Sequence, residues 1–156
     1  MLTFILPEKR QEIQFSDNVL DHFLKKRQVL PHRKEVGGQL FATITPKTVS
    51  ILASTGPDKL DTRRRFSLFL NKRRIQREID RYFKKGLHYV GDWHTHPQHP
   101  PFPSHIDFSS MEECFLKSDH ELNYFLMVVV GQSDKPSDIW VGLINGHEIL
   151  RLQPVS

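Results

Sequence analysis

His94-Thr95-His96-Pro97-Gln98-His99-Pro100-Pro101-Phe102-Pro103-Ser104-His105-Ile106-Asp107 is the stretch from which the fold is read. The preceding Tyr89-Val90-Gly91-Asp92-Trp93 reads as a short, mostly buried strand. Side chains alternate across a strand, so His94 and His96 are expected to leave its end on one face. The prolines at 97, 100, 101 and 103 fix φ and remove backbone donors, which excludes a continued strand and predicts a rigid, non-helical loop. At Ser104 the pattern turns helical. Ser104 is the expected N-cap, Asp107 follows three residues later, and Phe108, Met111 and Phe115 recur at helical spacing, predicting a helix over 104–118. Asp107 then sits in the first turn and faces back toward the loop.

Two imidazoles and a carboxylate form a borderline-soft ligand set suited to Zn²⁺, and three protein ligands leave a fourth position for water. Taken singly, each pair has an ordinary reading: a His-x-His is a polar strand face, and Ser104 with Asp107 is a capping box. Their combination within fourteen residues is what favours a metal site. Hydrolytic chemistry there also needs a carboxylate base that reaches the water without binding the metal tightly. Glu35 is the candidate, in Lys34-Glu35-Val36-Gly37-Gly38-Gln39-Leu40 ahead of an apolar strand. The glycine pair permits close backbone approach or positive φ. Without other signals Glu35 would read as a solvated residue before a hairpin.

Outward from this stretch the elements follow in order. Phe4-Ile5-Leu6 and Glu12-Ile13-Gln14-Phe15 are short strand candidates. Ser16-Asp17 caps an amphipathic helix with Val19, Leu20, Phe23 and Leu24 on one face, ending near Pro31. Strands at 37–45 and 47–54 form a hairpin through Thr45-Pro46-Lys47. The polar, turn-rich segment 54–65 is expected to be an exposed loop. A second helix over 70–85 turns Ile75, Ile79, Tyr82 and Phe83 inward and basic residues outward. After the helix at 104–118, strands at 123–131 and 138–144 follow, Val128-Val129-Val130 being a central one, and 148–152 adds another. This order predicts an α/β (α+β) fold, a mixed, antiparallel-rich sheet flanked by helices, with 1–156 as a single domain.

Glu35-Val36-Gly37-Gly38, followed by His94-x-His96, seven residues, Ser104, two residues and Asp107, resembles the Glu…His-x-His-x7-Ser-x2-Asp signature of the JAMM (JAB/MPN/Mov34) metalloproteases, without departure at any motif position. The resemblance implies a JAB/MPN, cytidine-deaminase-like fold. It also implies one zinc ion per chain held by His94, His96 and Asp107, with Glu35 as general base and Ser104 stabilising the oxyanion. In that scheme Glu35 takes a proton from the attacking water and returns it to the leaving amine of a peptide or isopeptide bond. His94-x-His96-x-Gln98-His99 also resembles the metallo-β-lactamase His-x-His-x-Asp-His motif, but Gln98 stands where a second-metal ligand belongs. The histidines at 22, 32, 88, 105, 120 and 147 need no metal role.

The chain has no run approaching eighteen consecutive apolar residues, and its first residues lack the form of a secretory signal, so a cytoplasmic protein with no membrane span is expected. Cys114, the lone cysteine, reads as a small, semi-buried hydrophobe and not a nucleophile. The net charge of +4 is concentrated in Arg63-Arg64-Arg65, Lys72-Arg73-Arg74, Arg77 and Lys84-Lys85, which suggests a basic surface docking an acidic partner. Nucleic acid ranks lower, because Phe66, Phe69 and Phe83 read as core anchors and not stacking platforms.

Within the JAMM family the chain is most similar to compact bacterial JAB-domain proteases of CBASS anti-phage operons. That likeness implies a zinc-dependent isopeptidase acting on a ubiquitin-like-type conjugate. The expected substrate is a cGAS-like nucleotidyltransferase joined to its target through its C-terminus, with the 63–65 loop as a docking surface. Alternatives are processing of a ubiquitin-like sulfur-carrier fusion and a nucleic-acid-associated module of the RadC type.

Overall fold

Phe125-Leu126-Met127-Val128-Val129-Val130 is apolar without interruption and buried at every position, the pattern of a strand covered on both faces. It lies inside an eight-stranded sheet in a computed structural model of the chain. The structure describes the chain apart from residues 7, 9, 60, 65, 66, 70, 71, 147 and 156, and for 62–64 and 67–69 it describes the backbone only. The expectations for the side chains of Arg63, Arg64, Arg65, Phe66, Phe69 and His147 therefore lie outside the described residues.

The large sheet is built from β1 (Leu2–Leu6), β2 (Gln11–Phe15), β3 (Gly37–Ile44), β4 (Thr48–Ser54), β7 (His88–Thr95), β8 (Phe125–Val130), β9 (Trp140–Ile144) and β10 (Ile149–Leu152). β5 (Thr62–Arg64) and β6 (Ser67–Phe69) pair separately. The spatial order is β1-β2-β4-β3-β7-β8-β9-β10. Only β2–β4 and β7–β8 are parallel; the other neighbours are antiparallel, giving the mixed, antiparallel-rich α+β sheet expected from the sequence. The parallel β7–β8 pair needs a crossover, which is the proline loop and α3 (His105–Lys117).

Alternation along β8 sorts the core onto two faces. Leu126, Val128 and Val130 join the cluster under α1 (Asp17–Lys26), whose Val19, Leu20 and Phe23 are buried as expected. Phe125, Met127 and Val129 face the other way with Trp140 and Met111 of α3. On that second face α2 (Lys72–Phe83) stacks Tyr82 on Phe41 of β3 at 4.3 Å between ring centroids. Helices thus cover both faces.

Four expectations are corrected. α1 stops at Lys26, short of Pro31, because arginines take its last carbonyls: Arg27 Nε donates to Leu24 O at 2.9 Å, and Arg33 Nη1 to Lys25 O at 3.2 Å. Phe83 is 64% exposed, since the inward stripe of α2 is used up by Tyr82 one residue earlier. Arg74, read as outward, is buried with a bidentate pair to Asp61 at 2.8 and 2.9 Å and a contact to Glu78 at 2.6 Å. The segment 54–65 is no simple exposed loop: Thr55 and Asp61 are buried and β5 lies within it.

Candidate metal centre

The site gathers on the end of the sheet where β7 runs out. β3 pairs with β7 so that Gly37 faces His94, which brings Glu35, just ahead of β3, beside the two histidines. The glycine pair has a steric reason. A Cβ on Gly38 would lie 1.8 Å from Thr55 O, so the 55–56 backbone packs directly on β3, and the positive φ of +86° falls on Gly56. Trp93 Nε1 donates to Thr55 O at 2.8 Å, tying that turn to the strand that carries the histidines.

His94 and His96 leave β7 on one face, as alternation requires, with ring centroids 4.8 Å apart. Asp107 Oδ2 lies 3.1 Å from His94 Nε2 and 3.2 Å from His96 Nε2, and Glu35 Oε1 lies 3.0 Å from His96 Nε2. Ligand atoms of Glu35, His94 and His96 all fall within 4.8 Å of one another. Glu35, His94 and Asp107 thus gather around His96 Nε2 or one another, and through Asp107 they are tied to Ser104. Its Oγ accepts the Asp107 N–H at 3.1 Å while Asp107 Oδ2 accepts the Ser104 N–H at 2.7 Å, a reciprocal capping box at the head of α3. The capping box and the convergence on the histidines are one arrangement using one carboxylate oxygen.

The rest of the proline loop orients His96. Its Nδ1 lies 2.9 Å from Phe102 O and 3.1 Å from Gln98 Oε1, and Gln98 Oε1 also accepts Phe102 N–H at 3.1 Å. Two acceptors at Nδ1 favour a proton there and turn Nε2 to the cluster, where it donates to the carboxylates while protonated and offers a lone pair once that proton leaves. Phe102 is itself braced edge-on against Phe108 and Trp140.

Two buried atoms here have no hydrogen-bond partner, Glu35 Oε2 and His94 Nε2, the latter close to Asp107 but out of line for a bond. Two donors about 2.0–2.1 Å from a tetrahedral ion are about 3.3–3.4 Å apart, close to the observed Nε2–Oδ2 separations. The donor set, its spacing and the orphan atoms fit a divalent metal ion.

Electrostatics agree. Burial alone would lower the His96 pKa, but hydrogen bonds to Asp107 and Glu35 outweigh it and push it up to about 10. Burial alone would raise Asp107, but the His94 and His96 imidazoles beside it, with the Ser104 backbone N–H, outweigh that and hold it well below the usual carboxylate range. The cluster calls for a positive charge at its centre, which either a proton or a metal ion supplies. One carboxyl not singled out from the sequence stands nearby. Burial pushes Asp92 up to about 6 against the opposing hydrogen bond from Tyr89 Oη, which donates at 2.8 Å. Burial likewise pushes the Cys114 thiol up, the opposite of an activated nucleophile.

A model of the family described as prokaryotic homologs of the JAB domain matches residues 17–141. Two similar proteins are named CD-NTase/cGAS isopeptidase. One, from Escherichia coli (strain TW11681), is 28% identical over 122 residues, covering 76% of this chain and 73% of that protein. The other, from Vibrio cholerae serotype O1 (strain ATCC 39315 / El Tor Inaba N16961), is 28% identical over 128 residues, covering 80% and 77%. Among solved structures, the solution structure of a protein from Desulfitobacterium hafniense matches with a TM-score of 0.62 at 22% identity over 90% of each chain, a likeness of fold. The family match runs from the start of α1 into β9 and contains all five residues of the converging site; this chain belongs to the prokaryotic homologues of the JAB domain.

Proposed function

We propose that the chain is a zinc-dependent isopeptidase of the JAMM type, with His94, His96 and Asp107 holding one zinc ion and Glu35 as general base. The convergence of two imidazoles and two carboxylates at 3.0–3.2 Å, from β7, the β3 approach and α3, carries this reading. Asp107 contacts both imidazoles and so completes the ligand set, whereas Glu35 keeps one buried oxygen without a partner. When bound, zinc supplies a Lewis acid that polarises the scissile carbonyl and acidifies water. Glu35 takes the proton of the attacking water and returns it to the leaving amine. Ser104 Oγ accepts a backbone N–H through a lone pair, so its own proton stays available to the oxygen of the tetrahedral intermediate. One hydroxyl thus serves cap and oxyanion together.

The substrate we infer is a conjugate of ubiquitin-like type, specifically a cGAS-like nucleotidyltransferase joined through its C-terminus to another protein in anti-phage defence. The names of the relatives support it. α2 and the turn that follows it expose Lys72, Arg73, Arg77, Arg81, Lys84 and Lys85, and we read this surface as the dock for an acidic surface of the partner. Arg74, on the buried side of α2, pairs with Asp61 and leaves the exposed cations available to a partner. Among the described residues no helix is long and apolar enough to cross a membrane, and we assign the activity to the cytoplasm. The test is chelation and reconstitution. Cleavage of the conjugate should vanish with the metal and return with one zinc per chain; cleavage that survives complete metal removal would overturn the reading.

A further inference from the structure

Thr95 lies between the two imidazoles in sequence and behind them in space. Alternation along β7 turns its side chain away from His94 and His96, and it is fully buried. Its hydroxyl accepts the Val36 N–H at 3.1 Å and donates to Gln28 Oε1 at 2.9 Å, while its own N–H donates to Val36 O at 2.9 Å. Val36 follows Glu35 directly. Both backbone groups of Val36 are therefore held by the residue that separates the two histidines.

The proton on that hydroxyl has a fixed direction. Gln28 is also fully buried, and its Nε2 donates to Arg33 O at 3.1 Å, so Oε1 is the atom turned to Thr95. Thr95 gives its proton to Oε1 and keeps a lone pair for Val36 N–H. An alternative approach, to Val36 O, is longer at 3.4 Å. The same glutamine closes a circuit back to the site: Gln132 Nε2 donates to Gln28 O at 3.1 Å, Gln132 N–H to Gln98 O at 3.1 Å, and Gln98 Oε1 sits 3.1 Å from His96 Nδ1.

We propose that Thr95, backed by Gln28, is a positioning residue that sets the Glu35 carboxylate against His96. The inference rests on the general-base reading of Glu35. Glu35 lies ahead of the β3 ladder, whose first pair is Gly37 with His94, so the Thr95–Val36 bonds fix the chain next to the carboxylate where the ladder does not reach. Replacing the hydroxyl by a methyl takes the acceptor from a buried N–H and lets the base drift relative to histidines that the ladder still holds. Small displacements of a catalytic group cost rate more than affinity.

The test compares Thr95→Val, Thr95→Ser and Gln28→Met with the wild type, each loaded with zinc or cobalt, on the conjugate. Thr95→Val should lower kcat by about 10- to 100-fold with KM within about twofold, and keep its metal stoichiometry and cobalt absorption bands. Thr95→Ser should restore kcat to within about threefold, and Gln28→Met should lose about tenfold with the same split. A folded, metal-loaded Thr95→Val with wild-type kcat would overturn the proposal, and so would a rate loss matched by metal loss. If Thr95→Val does not fold, full kcat in Gln28→Met overturns it. Hydrogen exchange of the Val36 amide in metal-free protein reads the network without turnover. It should quicken at least about tenfold in Thr95→Val and stay unchanged in Glu35→Gln; an unchanged rate in Thr95→Val overturns the inference. A Glu35→Gln protein that still turns over would instead sink the general-base reading, leaving the exchange result to stand by itself.

Discussion

Asp107 Oδ2 accepts the backbone N–H of Ser104 at 2.7 Å and, with the same oxygen, stands within 3.2 Å of both site histidines. Helix initiation and carboxylate placement are thereby mechanically joined: the capping box that starts α3 also points the Asp107 carboxylate at the two histidines.

Ser104→Ala should therefore fail on two counts. Loss of the N-cap costs about 1 kcal/mol of stability, and loss of the hydroxyl proton costs about 10²-fold in kcat. Ser104→Thr keeps both functions and should stay close to wild type. Thermal melts and steady-state kinetics separate the two effects, and an Ala variant with lowered Tm but unchanged kcat would confine Ser104 to capping.

Metal and proton compete for His96. Its folded-state pKa is raised, to about 10 from an ordinary 6.5, so in metal-free protein its stabilisation is fully present below about pH 6.5 and is lost as pH rises toward 10. The Tm of the metal-free protein should accordingly fall across that window. Zinc binding near pH 8 should expel about one proton through His96, measurable by calorimetry in buffers of different ionisation enthalpy. A metal-free Tm that climbs from pH 7 to 10 would contradict the assignment.

Much of this site was legible in the sequence because its parts are local. The His-x-His spacing, the prolines that end β7 and the Ser104–Asp107 pair each fix their geometry within a few residues. The central strand was legible for a related reason, since Val128-Val129-Val130 admits no other environment than burial. What escaped depends on contacts across the chain. Arg74 reads as one more cation on a basic helix until Asp61, thirteen residues away, meets it. Phe83 reads as inward from composition, but the helix axis relative to Phe41 decides the matter. Thr95 is unremarkable as the x of His-x-His, and its partner Gln28 lies sixty-seven residues distant. The turn at Thr55 was read as exposed, yet Gly38 had to be glycine to receive it.

The basic face of α2 makes a kinetic prediction. The double variant Arg73→Glu, Arg77→Glu leaves the buried Arg74–Asp61 pair untouched and should raise KM for the protein conjugate several-fold at low salt, roughly 3- to 10-fold, with kcat unchanged. The difference should shrink as ionic strength rises and the Debye length contracts. An unaltered KM would remove α2 from the docking surface. Tight binding of wild type and double variant alike to DNA, with steep salt dependence, would point to phosphate recognition elsewhere on the chain.

The most direct measurement joins a cGAS-like nucleotidyltransferase through its C-terminus to a reporter protein and follows the conjugate by intact mass, with wild type and with Glu35→Gln at equal zinc content. Wild type should make a single cut at the nucleotidyltransferase C-terminus and Glu35→Gln none, while still binding one zinc per chain. Equal cleavage by both proteins would show that Glu35, held 3.0 Å from His96, does not move the proton.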